Sequence, residues 1–221
     1  MLSSHAFSTQ PFATVEWPGA LVQSRAWMSD ARSDEEWMQR YAEGDQEALQ
    51  VLFQRHAKRM HGFFARAFQD KSTCEDLLQT TFLKLHHARE RYLKGAPFLP
   101  WLFGIAVRVR ADELRKRYRQ TQDQGVELDS LPGEERETAE SKQTIARVRR
   151  AVEALPEPQR LVIQLHRFDG LTFAEIAAVL SETEGKPVQE GAVRVRAFRA
   201  HEVLRKALLD LAPEGTSEGK P

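Results

Sequence analysis

The chain has 221 residues, enough for one large or two small domains, and its 41% hydrophobic and 29% charged content is that of a chain folded over most of its length. No apolar run approaches the ~20 residues a membrane helix requires, and the lone cysteine, Cys74, excludes an internal disulfide and fits a reducing cytoplasm. The 32 basic and 32 acidic residues cancel, so affinity for nucleic acid has to come from distribution: bases gather at Arg108–Arg119 and Arg194–Lys206, acids at Asp123–Glu140.

Residues 1–33 show no sustained periodicity and are predicted to be a flexible extension; Pro11, Pro18 and the lack of an early basic cluster argue against a secretory signal. A short helix is predicted from Asp34 to Glu43, with Gly44 as its stop. Asp45 then caps a longer helix whose apolar positions include Leu49, Leu52, Phe53, Met60, Phe63 and Phe64; His56 shares that face and reads as a core or helix–helix histidine. Asp70–Thr73 breaks the pattern before a third helix, which places Leu77, Leu78, Phe82, Leu85 and Tyr92 inward. With Gly95, Pro97 and Pro100, the stretch Leu93–Pro100 reads as a loop, and a fourth helix is expected from near Trp101, burying Leu102, Ile105, Val109 and Leu114. It ends in a basic run that also suits a helix C-terminus.

Residues 120–141 are polar and acidic and contain Pro132-Gly133, a flexible linker by composition. Helical pattern resumes at Thr144–Leu155 and is punctuated by Pro156 and Pro158. In Leu161–Leu208, Thr172 and Glu175 have capping-box spacing, followed by a short apolar face of Ile176, Ala177, Val179 and Leu180. The last helix has Val193, Ala197, Ala200, Leu204, Ala207 and Leu211 at helical period, which turns Arg194, Val195, Phe198 and Arg199 outward. A helix packed on one side and lined with arginine on the other suits a helix-turn-helix in a major groove, and equally a solvated surface helix. Residues 212–221 are expected to be disordered. The fold class is all-α: two small helical domains, residues 34–119 and 142–211, joined by the acidic linker.

The sequence contains no phosphate-binding glycine loop, metalloprotease helix or nucleophile elbow, so no residue supports an enzyme. Cys74 with His56, His61, His86 and His87 lacks the spacing that aligns metal ligands on one helix face, and no cofactor is expected.

Taken together, DLLQTTFLKLHHARERY, PWLFGIAVRVRADELRKRYR, ALPEPQRLVIQLHRFDGLTFAEIA and EGAVRVRAFRAHEVLRKAL resemble a bacterial RNA polymerase sigma factor of the small extracytoplasmic-function type, which keeps only regions 2 and 4. The resemblance implies a cytoplasmic protein that binds core polymerase, directs it to promoter DNA and has an anti-sigma factor as regulator. Asp76, Leu77, Gln79, Phe82 and Leu83 match the polymerase-docking helix. Tyr92, Lys94, Phe98 and Trp101 match the segment that holds a flipped base of the −10 element, where an aromatic-edged, proline-stiffened loop suits an unstacked base; Phe98 fits a core plug as well. Arg108, Arg110, Arg115, Lys116 and Arg117 match the −10 helix and would neutralise phosphates. Arg194, Val195, Arg196, Phe198 and Arg199 match the −35 reader, in which arginine can pair with guanine and apolar groups can touch thymine methyls; Arg196, nearer the apolar flank, is assigned to phosphate.

The chain departs from the family in three places. Thr80 stands where Glu is frequent, Arg108 where Asn is common, and the turn Ser181–Gln189 is about six residues longer than expected, an insertion a surface loop absorbs readily. These departures leave an alternative: an accessory helix-turn-helix regulator that no longer recruits polymerase.

Overall fold

A computed structural model describes residues 31–124, 148 and 150–209. All regular structure among them is helical, including residues 148 and 150–153 and the elements α1 (Asp34–Ala42), α2 (Gln46–Ala65), α3 (Lys71–Ala88), α4 (Phe98–Gln124), α5 (Glu157–Ile163), α6 (Phe173–Glu184) and α7 (Glu190–Leu209). A 3₁₀ turn, Arg89–Arg91, follows α3, and a π-helical turn, Gln164–Phe168, follows α5. The expected extension 1–30, most of the acidic linker and residues 210–221 lie outside the described residues.

Local chemistry sets the boundaries. Ser33 and Glu36 form a reciprocal capping box on α1, and Gly44, at φ 106°, turns the chain into the Asp45 cap of α2. Asp70 caps α3 through the Thr73 amide at 2.8 Å, so the helix begins at Lys71 and the break expected over Asp70–Thr73 is only the cap. The fourth helix starts at Phe98, not near Trp101. Pro100 falls in its first turn, where an amide has no intrahelical acceptor and proline costs little. Its far end runs to Gln124, so the first residues assigned to the linker are helical.

The first half, α1–α4, closes around Met38, Leu52, Met60, Phe64, Phe82 and Phe98, all essentially inaccessible. His56 is buried and bonded through Nε2 to Asp34 Oδ2 at 2.7 Å, tying α1 to α2 as a helix–helix histidine. The His56 and Arg55 bonds hold the Asp34 carboxyl below its usual range despite the opposing effect of burial. Cys74 is buried, its thiol directed at the Phe68 carbonyl, and burial pushes its pKa up.

Within Leu102–Val107 every side chain of α4 is buried, including Phe103, Ala106 and Val107, which a one-sided helix would expose. The second face of α4 is covered by α6, so the apolar core runs on from the first half into Val162, Leu165, Leu171 and Ile176 of the second. The described residues from Ser33 onward accordingly form one compact unit.

Candidate nucleic-acid interface

The helix-turn-helix is α6, a turn and α7. Thr172 Oγ1 accepts from the Glu175 amide at 3.2 Å while the Glu175 carboxylate accepts from the Thr172 amide at 2.7 Å, the complete capping box expected there. Ile176, Ala177, Val179 and Leu180 are buried as predicted, but α6 does not stop at Leu180. It continues to Glu184 and ends at Gly185, whose φ of 66° is the left-handed conformation glycine adopts without strain. The long turn expected over Ser181–Gln189 is therefore a correction: most of the added length is one more helical turn, leaving Gly185–Gln189 as the connection. Ser181 Oγ secures the connection, donating to the Ala177 carbonyl and accepting from the Val188 amide at 2.8 Å.

On α7, Val193, Ala197 and Ala200 are fully buried, and this stripe sets the helix's rotation. Arg194, Val195, Phe198 and Arg199 then face outward, with Val195 49% and Phe198 66% exposed one turn apart. Arg194 pairs with Glu190 one turn earlier and lies over the Phe173 ring at 5.1 Å, which directs its guanidinium along the exposed face. Arg196 is held differently. It is half-buried and bonded to Glu184 at 2.8 Å, so the added turn of α6 anchors it, and this bond draws the Glu184 carboxyl below its usual range.

The segment before α4 is compact. Phe98 is completely buried between His56 and Trp101, at ring-centroid distances of 5.3 and 6.4 Å, so it is a core plug and not an open stacking surface. Tyr92 is also largely buried; its hydroxyl donates to the Ala96 carbonyl, its ring packs on Trp101 at 5.1 Å, and burial pushes its pKa up to about 12. These contacts make a rigid platform with Trp101 half-buried and Lys94 exposed at its edge. Leu93, 75% exposed beside Lys94, is the large apolar side chain this platform leaves open to a partner. The sequence reading missed it, because a leucine following an aromatic looks like the end of a buried run.

Of the basic residues on α4, Arg115 and Lys116 are exposed and pair with their own helix's Asp112 and Glu113. Arg117 bonds Glu113 at 3.0 Å and lies over Phe68 at 4.7 Å. Arg108 and Arg110 point instead into the second half. Arg110 is 4% exposed and bonded to Glu157 at 2.7 Å; burial depresses its pKa, with Glu157 opposing that effect. Arg108 donates to the Glu182 carbonyl at 2.8 Å and pairs with its carboxylate at 3.0 Å. In this arrangement Arg110 is not on the surface expected of it.

On α3, Asp76 and Gln79 are exposed and Leu83 half-buried, at steps of three and four along one side. Leu77 and Phe82 are buried and hold the helix to the core. The five expected docking residues therefore divide into an accessible face and its support. Among the described residues no group of His, Cys, Asp and Glu could hold a metal ion, and no helix is long and apolar enough to cross a membrane.

Residues 52–120 match the family model described as sigma-70 region 2, and residues 145–202 match that of sigma-70 region 4. RNA polymerase sigma factor CarQ of Myxococcus xanthus is 34% identical over 183 residues, spanning 80% of this chain and 98% of that protein. The chain is an extracytoplasmic-function sigma factor carrying regions 2 and 4. The sigma-E factor of Escherichia coli K12 is 29% identical, over 80% of this chain and 95% of its own. CnrH, solved with the cytosolic domain of CnrY, superposes with a TM-score of 0.59 at 27% identity, over 81% of this chain and 98% of that one. As a sigma factor it directs RNA polymerase to promoters, and the accessory-regulator alternative is not favoured.

Proposed function

We propose that this sigma factor docks on core polymerase through the α3 face of Asp76, Gln79 and Leu83, supported from beneath by Leu77 and Phe82. The two anchor positions most exposed to a partner are polar, and half-buried Leu83 supplies the apolar contact on which such an interface centres. Residues 34–119 then serve as the −10 domain and residues 142–211 as the −35 domain. In the first, Leu93, Lys94 and Trp101 meet an unpaired base, with Tyr92 and Phe98 stiffening the platform behind them. Arg108, Arg115, Lys116 and Arg117 neutralise backbone phosphates, while Arg110, buried on Glu157, stands behind them.

In the second, Arg194 and Arg199 pair with base edges, and Val195 and Phe198 contact thymine methyls. Arg196, fixed on Glu184, orients the helix and supplies a phosphate contact. One observation carries this reading: the division of α7 into a stripe buried at Val193, Ala197 and Ala200 and an exposed face of arginines around Phe198. Val195 and Phe198, three residues apart on the helix and both exposed, give that face a shared apolar patch for a partner to cover.

The protein supplies recognition and binding energy and no catalytic group, works in the cytoplasm beside polymerase, and uses no cofactor. Its regulator is an anti-sigma factor, a reading supported by the solved complex of CnrH with CnrY. In vitro transcription with core polymerase tests the whole: promoter-dependent initiation is expected, and DNA binding without initiation would return the chain to the accessory-regulator class.

A further inference from the structure

The outward arginines of α7 are not held alike. Arg199 is exposed and makes no hydrogen bond, ion pair or ring contact among the described residues. Arg194 is framed on two sides. Its Nε donates to Glu190 Oε1 at 3.0 Å and its Nη2 donates to the same oxygen, which takes up one side edge of the guanidinium. Its Cζ lies over the Phe173 ring, 5.1 Å from the centroid.

The ring that Arg194 meets is itself fixed. Phe173 is the first residue of α6, set there by the Thr172–Glu175 capping box, and it packs against the core. His166, in the π-helical turn, stacks on Phe173 with centroids 4.3 Å apart and planes 25° from parallel. The imidazole is locked in turn. Its Nδ1 donates to the Leu171 carbonyl at 2.8 Å, which assigns a proton to that nitrogen, and Leu171 is buried. A chain of contacts thus runs from the core through His166 and Phe173 to a guanidinium on the exposed face. Packing alone would be served by any apolar side chain at position 173. An aromatic one adds what leucine lacks, a negative π face for a cation.

The frame gives Arg194 a direction. Glu190 takes the Nε–Nη2 edge, so the end formed by Nη1 and Nη2 is what remains to meet a partner. Two parallel donors on that end match O6 and N7 of guanine. An arginine free to rotate loses rotamer entropy in adopting such a pose and can turn to a phosphate instead. One already ordered does both to a smaller degree.

We propose that Phe173 and His166 are positioning residues for −35 recognition. With Glu190 they hold Arg194 end-on for one guanine, and so set how sharply the holoenzyme prefers that base pair. Arg199, unframed, takes the more adaptable contact on the same face. The inference rests on the reading of α7 as the −35 helix, and it gives α6 and the π-helical turn a part in base choice without their touching that base.

The test is a selection. A promoter the holoenzyme uses is randomised across its −35 element, offered to holoenzyme carrying the parent or a variant chain, and the retained duplexes are sequenced. The parent should enrich guanine at a position where Arg194→Ala abolishes the preference. Phe173→Leu should weaken that same preference by roughly two- to fivefold, the weight of one exposed cation–π contact, and leave the other positions as they are. Phe173→Tyr, which restores a ring, should restore it. If the folded Phe173→Leu chain keeps the full preference, or loses preference equally at every position, the positioning role is overturned. A parent that enriches nothing across the −35 element would instead sink the reading of α7 itself, so the two failures are distinct.

Should Phe173→Leu melt early, Glu190→Ala decides, since that side chain lies outside the core and is 41% exposed. Removing the carboxylate frees Arg194 and takes a negative charge from the DNA face. Binding to an unrelated duplex should therefore rise while guanine preference at the Arg194 position falls. Unchanged preference in this variant would overturn the proposal.

Discussion

Phe198→Ala separates recognition from folding on a single helix. The ring is 66% exposed, and α7 packs through Val193, Ala197 and Ala200 on its other side. Truncation therefore removes little burial, and alanine's better helix propensity offsets what is lost, so stability should change by no more than about 0.5 kcal/mol. At the DNA the same ring is assigned to a thymine methyl or sugar, and loss of a good base contact costs about 1–3 kcal/mol, or roughly five- to 150-fold in affinity. Val193→Ala is the mirror case. Val193 is fully buried, and deleting its methyl groups should cost about 1–3 kcal/mol of stability without altering the reading face. The assay is thermal unfolding of each variant beside fluorescence anisotropy with a −35 duplex at fixed salt. Phe198→Ala should melt with the parent and bind weakly; Val193→Ala should melt early and, while folded, bind as the parent does. A Phe198→Ala protein that melts several degrees early, or binds undiminished, would refute the assignment of the two faces.

Replacing both Arg194 and Arg199 by alanine should lower −35 affinity and, if both reach phosphates as well as bases, reduce the slope of log K against log salt by about 2; a salt titration of duplex binding reads this directly. Leu83→Asp puts a charge on the half-buried edge of the α3 docking face, so core polymerase should no longer be retained in co-purification while binding of the −35 duplex stays at the parent level. Asp34→Asn removes a carboxylate held by His56 and Arg55, with an expected loss of about 1–3 kcal/mol near neutral pH. Because that carboxyl's folded pKa lies below its ordinary value of 3.8, its contribution is full above that value and fades as pH falls through the folded pKa. The variant's stability should accordingly converge on the parent's in the acid limb of a pH series of denaturant melts.

The parts of the fold legible in sequence are those where one local rule acts alone. The α7 stripe follows from helical period, the Thr172 start from two side chains three residues apart, and the inward set of α3 from alternate spacing of three and four. The misreadings come from neighbours remote in sequence. Phe103, Ala106 and Val107 have no reason in α4's own pattern to be buried together; α6 covers them. Arg110 reads as a DNA cation until Glu157 is seen beside it. Ser181–Glu184 is polar and precedes Gly185 and Pro187, and so looks like loop. The helix nevertheless continues, because the stop is Gly185 and the polar side chains have partners: Glu182 on Arg108 and Glu184 on Arg196. Phe98 had two readings on sequence, and burial against His56 decides between them.

Two-part promoter recognition is the account's central claim, and a footprint of the holoenzyme on a promoter it uses tests it most directly. Protection of both the −35 and −10 elements is predicted, with the −35 protection lost in the Arg194→Ala, Arg199→Ala variant. Protection at −10 alone in the parent would contradict the role assigned to α7.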